Sequence, residues 1–74
     1  MNTFTSKYPM YVFRGLLGGG SLSEKLAPSG HVFALDFIDS DVARMSCKID
    51  GKLYRYKASP EMLRIAFTET TNED

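Results

Sequence analysis

Cysteine and histidine each occur once in this chain of 74 residues, as Cys47 and His31, and tryptophan is missing altogether. A lone cysteine closes no internal disulfide, which fits a reducing compartment. One histidine, one cysteine and scattered aspartates offer no ligand set of recognised spacing, so no metal and no cofactor is expected. Excess charge of either sign is also missing: nine Lys and Arg balance nine Asp and Glu. The whole-chain field therefore favours neither nucleic acid nor an anionic membrane. Long apolar runs are absent as well. The longest, Tyr8 to Leu17, is interrupted by Arg14 and falls short of the roughly 20 residues a membrane helix needs. Its charge lies inside the apolar stretch and not ahead of it, unlike a secretory signal. These absences together describe a soluble, cytoplasmic protein without membrane association.

Hydrophobic residues make up 43% and charged residues 24%, values of an ordinary folded chain. The length fits one small domain over residues 1–74, with 1–7 and 70–74 read as frayed ends. Its best-defined stretch runs from Arg44 to Lys57. Asp50-Gly51 at the centre supplies the two positive-φ positions of a type I′ hairpin turn. Ile49 then opposes Lys52, Cys47 opposes Tyr54, Met45 opposes Tyr56 and Arg44 opposes Lys57. One face collects Met45, Cys47, Ile49, Tyr54 and Tyr56. The other collects Arg44, Ser46, Lys48, Leu53, Arg55 and Lys57. A slip of one residue would mix the two sets, so the pattern fixes the register.

Ahead of the hairpin, His31 to Ile38 alternates Phe33, Leu35 and Phe37 along one face. A three-residue loop Asp39–Asp41 would place Leu35 opposite Met45, Phe33 opposite Cys47 and Asp36 opposite Arg44, giving a three-stranded meander. Further upstream, Tyr8 to Arg14 suits a strand with Met10 and Val12 on one face and Tyr11 and Phe13 on the other. The glycine-rich stretch 15–20 follows, and Ser21 with Glu24 has capping-box spacing for a short helix from Leu22 to Pro28. After the hairpin, Ser59-Pro60-Glu61 opens a helix in which Met62, Leu63, Ala66 and Phe67 share one face. The expected class is α+β: about four antiparallel strands, ordered strand, loop with short helix, then three strands, with a C-terminal helix on one face.

The segment Gly51-Lys-Leu-Tyr54-Arg-Tyr56-Lys-Ala-Ser-Pro60 resembles the Gly-x-x-Tyr-x-Tyr-x-x-x-Pro stretch of the small KTSC domain. The resemblance is confined to that segment, and no function is carried across from it.

Several groups invite a functional reading. Gly18, Gly19, Gly20 and Ser21 form a candidate anion loop on backbone N–H groups, but Ser21-Leu22 stand where a phosphate-binding loop needs Lys followed by Ser or Thr. Cys47 and His31 fall on one face, yet burial among Phe33, Met45 and Tyr54 would blunt the thiol. The basic hairpin face, Arg44, Lys48, Arg55 and Lys57 around Leu53, suits an acidic protein patch. It suits single-stranded nucleic acid less, because Tyr54 and Tyr56 point the other way. Tyr8, Tyr11, Phe13, Leu16 and Leu17 exceed what a short strand and loop normally bury, which marks either an interface or a cover over Val32, Ala34 and Ile38 on the outer face of the meander, and an edge strand there would allow a homodimer. The resulting expectation is a non-enzymatic protein-binding module, a regulator or inhibitor of the kind that phages and mobile elements often encode. The alternative is an accessory protein that binds nucleic acid or nucleotide through the hairpin face or the glycine loop.

Overall fold

The hairpin forms as its sequence requires. In a computed structural model that describes residues 2–15 and 23–71, Asp50 and Gly51 both take positive φ, 54° and 77°. Strands β5 (Ala43–Ile49) and β6 (Lys52–Ala58) pair in the expected register, from Ile49 opposite Lys52 to Arg44 opposite Lys57. Around this hairpin stand five more strands and one helix: β1 (Asn2–Ser6), β2 (Met10–Arg14), β3 (Ser23–Ala27), β4 (Val32–Ile38), α1 (Pro60–Ala66) and β7 (Phe67–Thr71). All strands pair antiparallel in a single seven-stranded sheet of order β3-β2-β6-β5-β4-β1-β7.

This overturns the expected α+β class with about four strands. The architecture is mostly sheet, with one short helix, and three strands lie where none was expected. Residues 2–6, read as a frayed end, form β1, inserted between β4 and β7. Its β-branched Thr3 and Thr5 suit a strand with partners on both sides, and Phe4 between them is buried. Residues 23–27, read as helix, form β3, paired with β2 along five residues. A helix of barely two turns does not repay its nucleation. As a strand the segment instead satisfies the backbone of β2 and buries Ala27 completely. The C-terminal helix stops at Ala66, because Phe67 turns to extended backbone, φ −129° and ψ 151°. Strand β7 continues from there, so Phe67 reaches the core from a strand and Met62, expected on the buried helix face, is exposed.

The helix start matches its signal. Ser59 Oγ accepts the Met62 N–H at 3.0 Å, and Pro60 occupies the first turn with Glu61. Replacing Ser59 by Ala removes that acceptor and is expected to cost about 1 kcal/mol. A lowered urea midpoint with unchanged slope would register it; an unchanged midpoint would show that tertiary packing alone holds α1.

The β4–β5 connection departs from expectation by one residue. Asp39 N–H donates to the Val42 carbonyl at 2.9 Å, and the Asp39 carboxylate accepts the N–H groups of Asp41 and Val42, each at 2.8 Å. Those two bonds hold its pKa below the usual carboxylate value. The turn thus closes over four residues and sets Ile38 opposite Ala43, while Leu35 still faces Met45 as expected. The strands reconcile the two demands with a bulge between Leu35 and Phe37. Asp36 therefore does not face Arg44; Phe37 does.

The apolar faces enclose a core of Phe4, Val12, Phe33, Met45, Tyr54 and Phe67, with Leu63 and Ala66 of α1 packed on it. Strands β3 and β1 lie far apart in the strand order, yet Ser6 of β1 donates its hydroxyl to Pro28 and accepts the Gly30 N–H at its carbonyl. The sheet therefore curls until the segment after β3 reaches β1. That curl dries the inner face and leaves the opposite face outward.

Candidate outer-face binding site

Sheet register decides which side chains share the outer face. One row crosses six strands: Phe13 on β2, Arg55 on β6, Ser46 on β5, Ala34 on β4, Thr3 on β1 and Thr70 on β7. One flanking row holds Lys57, Arg44 and Phe37. On the other side, Leu53 opposes Lys48 and Val32 opposes Thr5. The middle row narrows to small residues at Ser46, Ala34 and Thr3, while long side chains stand on the flanks at Lys57, Arg44 and Phe37 and at Leu53 and Lys48.

The consequence is a trough across the strands. At the β2 end, Phe13, Leu53, Arg55, Ser46, Arg44 and Phe37 line a concavity of about 660 Å³, together with Asp36 and Lys57. At the β1 end, Thr3, Ala34, Val32, His31, Lys48 and Leu53 line a second of about 550 Å³. The two share Ser46 and Leu53. Ser46 lies at the floor, only 9% exposed.

The charge on this face is uneven. Arg44, Lys48, Arg55 and Lys57 are all exposed, and among the described residues no ion pair joins any of them to an acid. The ion pair between described side chains lies on the core side of the sheet, where Lys25 Nζ meets the Asp50 carboxylate at 2.8 Å. That contact raises the lysine pKa and lowers that of the aspartate, through its hydrogen bond first and its charge second. Arg44 instead places its guanidinium over the Phe37 ring, 5.8 Å from the centroid.

Apolar groups are interleaved with these cations. Tyr11 is 57% exposed, Phe37 49%, Leu53 46% and Phe13 38%. Tyr11 and Phe13 occupy the outer side of β2, as alternation predicts, and Tyr54 turns into the core. Strand β2 is not an edge, however. It lies between β3 and β6, so the edge-strand dimer imagined for it has no free edge there. The sheet's edges are β3 and β7, each with a charged residue at its centre, Lys25 and Glu69, a placement that resists strand addition. Leu16, Leu17, Gly18, Gly19, Gly20 and Ser21 lie outside the described residues.

The Cys47 and His31 pair does not make a nucleophile. Cys47 is 5% exposed, and burial pushes its thiol pKa up, away from the reactive thiolate. His31 Nε2 lies 3.0 Å from the Lys48 carbonyl oxygen and the ring stands edge-on to Phe33, so the imidazole is held by backbone and core. Among the described residues no group of three His, Cys, Asp or Glu side chains gathers. No helix among them is long and apolar enough to cross a membrane.

Two members of this face escaped sequence reasoning. Phe37 belongs by alternation with Phe33 and Leu35, and only the bulge at Asp36 moves it outward beside Arg44. Val32 is 56% exposed: β2 lies in the plane of the sheet between β3 and β6, so its Tyr11 and Phe13 stand beside the face and do not cover Val32.

No protein-family model matches the chain, and no curated protein or solved structure matches it. The likeness of residues 51–60 to the KTSC stretch therefore carries no argument about fold or function.

Proposed function

We propose that this chain is a small protein-binding module that regulates or inhibits a partner by occupying its surface with the outer face of the sheet. The observation that carries the reading is the gathering of Arg44, Lys48, Arg55 and Lys57 with Phe13, Phe37 and Leu53 on the face turned away from the core. Aromatic residues and arginine are the side chains that dominate binding energy at protein interfaces. Cations that no acid engages in an ion pair among the described residues add attraction to an acidic partner and speed the encounter. The buried, lone Cys47 suits work in a reducing, cytoplasmic setting.

A second reading has an observation in its favour. Phe13 sits beside Arg55, and Arg44 beside Phe37, so rings and cations are interleaved in the way single-stranded nucleic acid requires. The inward tyrosines no longer count against it, because neighbouring strands supply other rings.

Capture from a cell lysate separates the two. The immobilised protein is expected to retain a protein partner that resists nuclease. Arg55→Glu with Lys57→Glu should weaken that capture by about tenfold or more, since like charges across an interface cost several kcal/mol, while the urea midpoint stays in place. Loss of the captured material on nuclease treatment would favour the second reading. Undiminished capture by the double variant would remove the face from consideration.

A further inference from the structure

We propose that the trough takes an extended, acidic peptide segment of the partner, laid across the strands with its carboxylates against Arg44, Arg55, Lys57 and Lys48. The inference rests on the protein-binding reading and specifies the shape and chemistry of the occupant. Length comes first. From Phe13 on β2 to Thr3 on β1 the row crosses four strand spacings, about 19 Å at about 4.8 Å each, which an extended chain spans with about six residues. Width comes next. Each flanking row lies two residues from the middle one along the strands, so the flanks stand about 13 Å apart at the backbone. The side chains of Lys57, Arg44 and Phe37 on one flank and of Leu53 and Lys48 on the other narrow that opening further, whereas a helix with its side chains is already roughly 10–12 Å across. An extended chain suits these dimensions better than a helix.

Chemistry decides between the remaining occupants. Arg44 and Lys57 stand on one flank, Lys48 on the other and Arg55 in the middle row, with Asp36 as the acid lining the concavity at the β2 end, a charge that suits a segment rich in Glu or Asp. Apolar side chains of the segment find Phe13, Leu53 and Val32 along the same path. The floor offers hydroxyls and a methyl group, Ser46, Thr3 and Ala34, which accommodate a peptide backbone. Bases would need flat rings along the floor. The floor has none between Ser46 and Thr3, and Arg44 already occupies one face of the Phe37 ring.

The test uses fluorescence anisotropy with three labelled probes: an octapeptide alternating Glu with Leu or Phe, its counterpart with Lys in place of Glu, and a short oligothymidylate. The acidic peptide is expected to bind saturably and about tenfold or more tighter than its basic counterpart. Filling the floor separately with Ala34→Gln and Thr3→Gln should each weaken that binding about tenfold by removing shape complementarity, with the circular-dichroism melt unchanged. Should one of them fail to fold, the other carries the test. Binding that survives both fillings yet disappears in Arg55→Glu with Lys57→Glu would overturn the trough and leave the module standing. Absence of saturable binding by the acidic peptide would overturn the inference alone, with lysate capture still deciding the module. Preference for the oligothymidylate would overturn both.

Discussion

Phe33→Ala is expected to leave the domain largely unfolded at room temperature, with a loss of about 3–5 kcal/mol. Phe33 is fully buried and three rings meet it near the edge-to-face geometry that aromatic pairs prefer. Phe67 of β7 lies 5.2 Å away at 84°, His31 5.9 Å at 81° and Tyr56 of β6 6.3 Å at 67°. The residue therefore ties β4 to β6, to β7 and to the loop that closes the curl. A core of this size supplies only about 3–5 kcal/mol of net stability, so one cavity of that cost removes nearly all of it. Far-UV circular dichroism across a urea series reads the outcome. A variant whose midpoint stays near that of the parent would show that the core repacks around the vacancy.

Gly51→Val should cost about 2 kcal/mol, from the backbone alone. Gly51 holds φ at 77°, which β-branched residues adopt only under strain, and a Cβ there would meet nothing within 4 Å. Crowding is thus excluded as a cause. The turn also fixes the register of β5 against β6, and a shift of one residue would exchange Met45 and Cys47 for Arg44, Ser46 and Lys48 in the core. The expected signature is a lowered urea midpoint with weakened amide protection along both strands. Gly51→Asn, whose side chain tolerates this conformation, should recover most of the loss. If Gly51→Val matches the parent, the turn has other conformations available and the register is held by side-chain packing.

How much of this was legible depended on where the determining interactions lie. The hairpin could be read in full because its information is local: Asp50-Gly51 sets the turn, and alternation sets the faces. The cap at Ser59 is local too. Strands β1, β3 and β7 were not readable, since Asn-Thr-Phe-Thr-Ser and Ser-Glu-Lys-Leu-Ala carry little apolar signal. They become strands because β4, β1 and β2 present unsatisfied backbone beside β1, β7 and β3 respectively. The helix ends before Phe67 for a related reason: the pairing of Ser6 with Phe67 draws that residue into the sheet against its helical periodicity.

The candidate site divides along the same line. Arg44, Lys48, Leu53, Arg55 and Lys57 were placed on one face by alternation alone, because a strand of period two leaves no other choice. Phe13 reached them only because β2 docks beside β6, and Phe37 only because Asp39 closes a four-residue turn that a bulge must absorb. By itself the sequence determined the hairpin, its register and the cations on its outward side, all consequences of neighbouring residues. Tertiary structure decided the seven-stranded order, the curl and the trough, because pairing between strands distant in sequence depends on which edges the rest of the fold leaves unfilled.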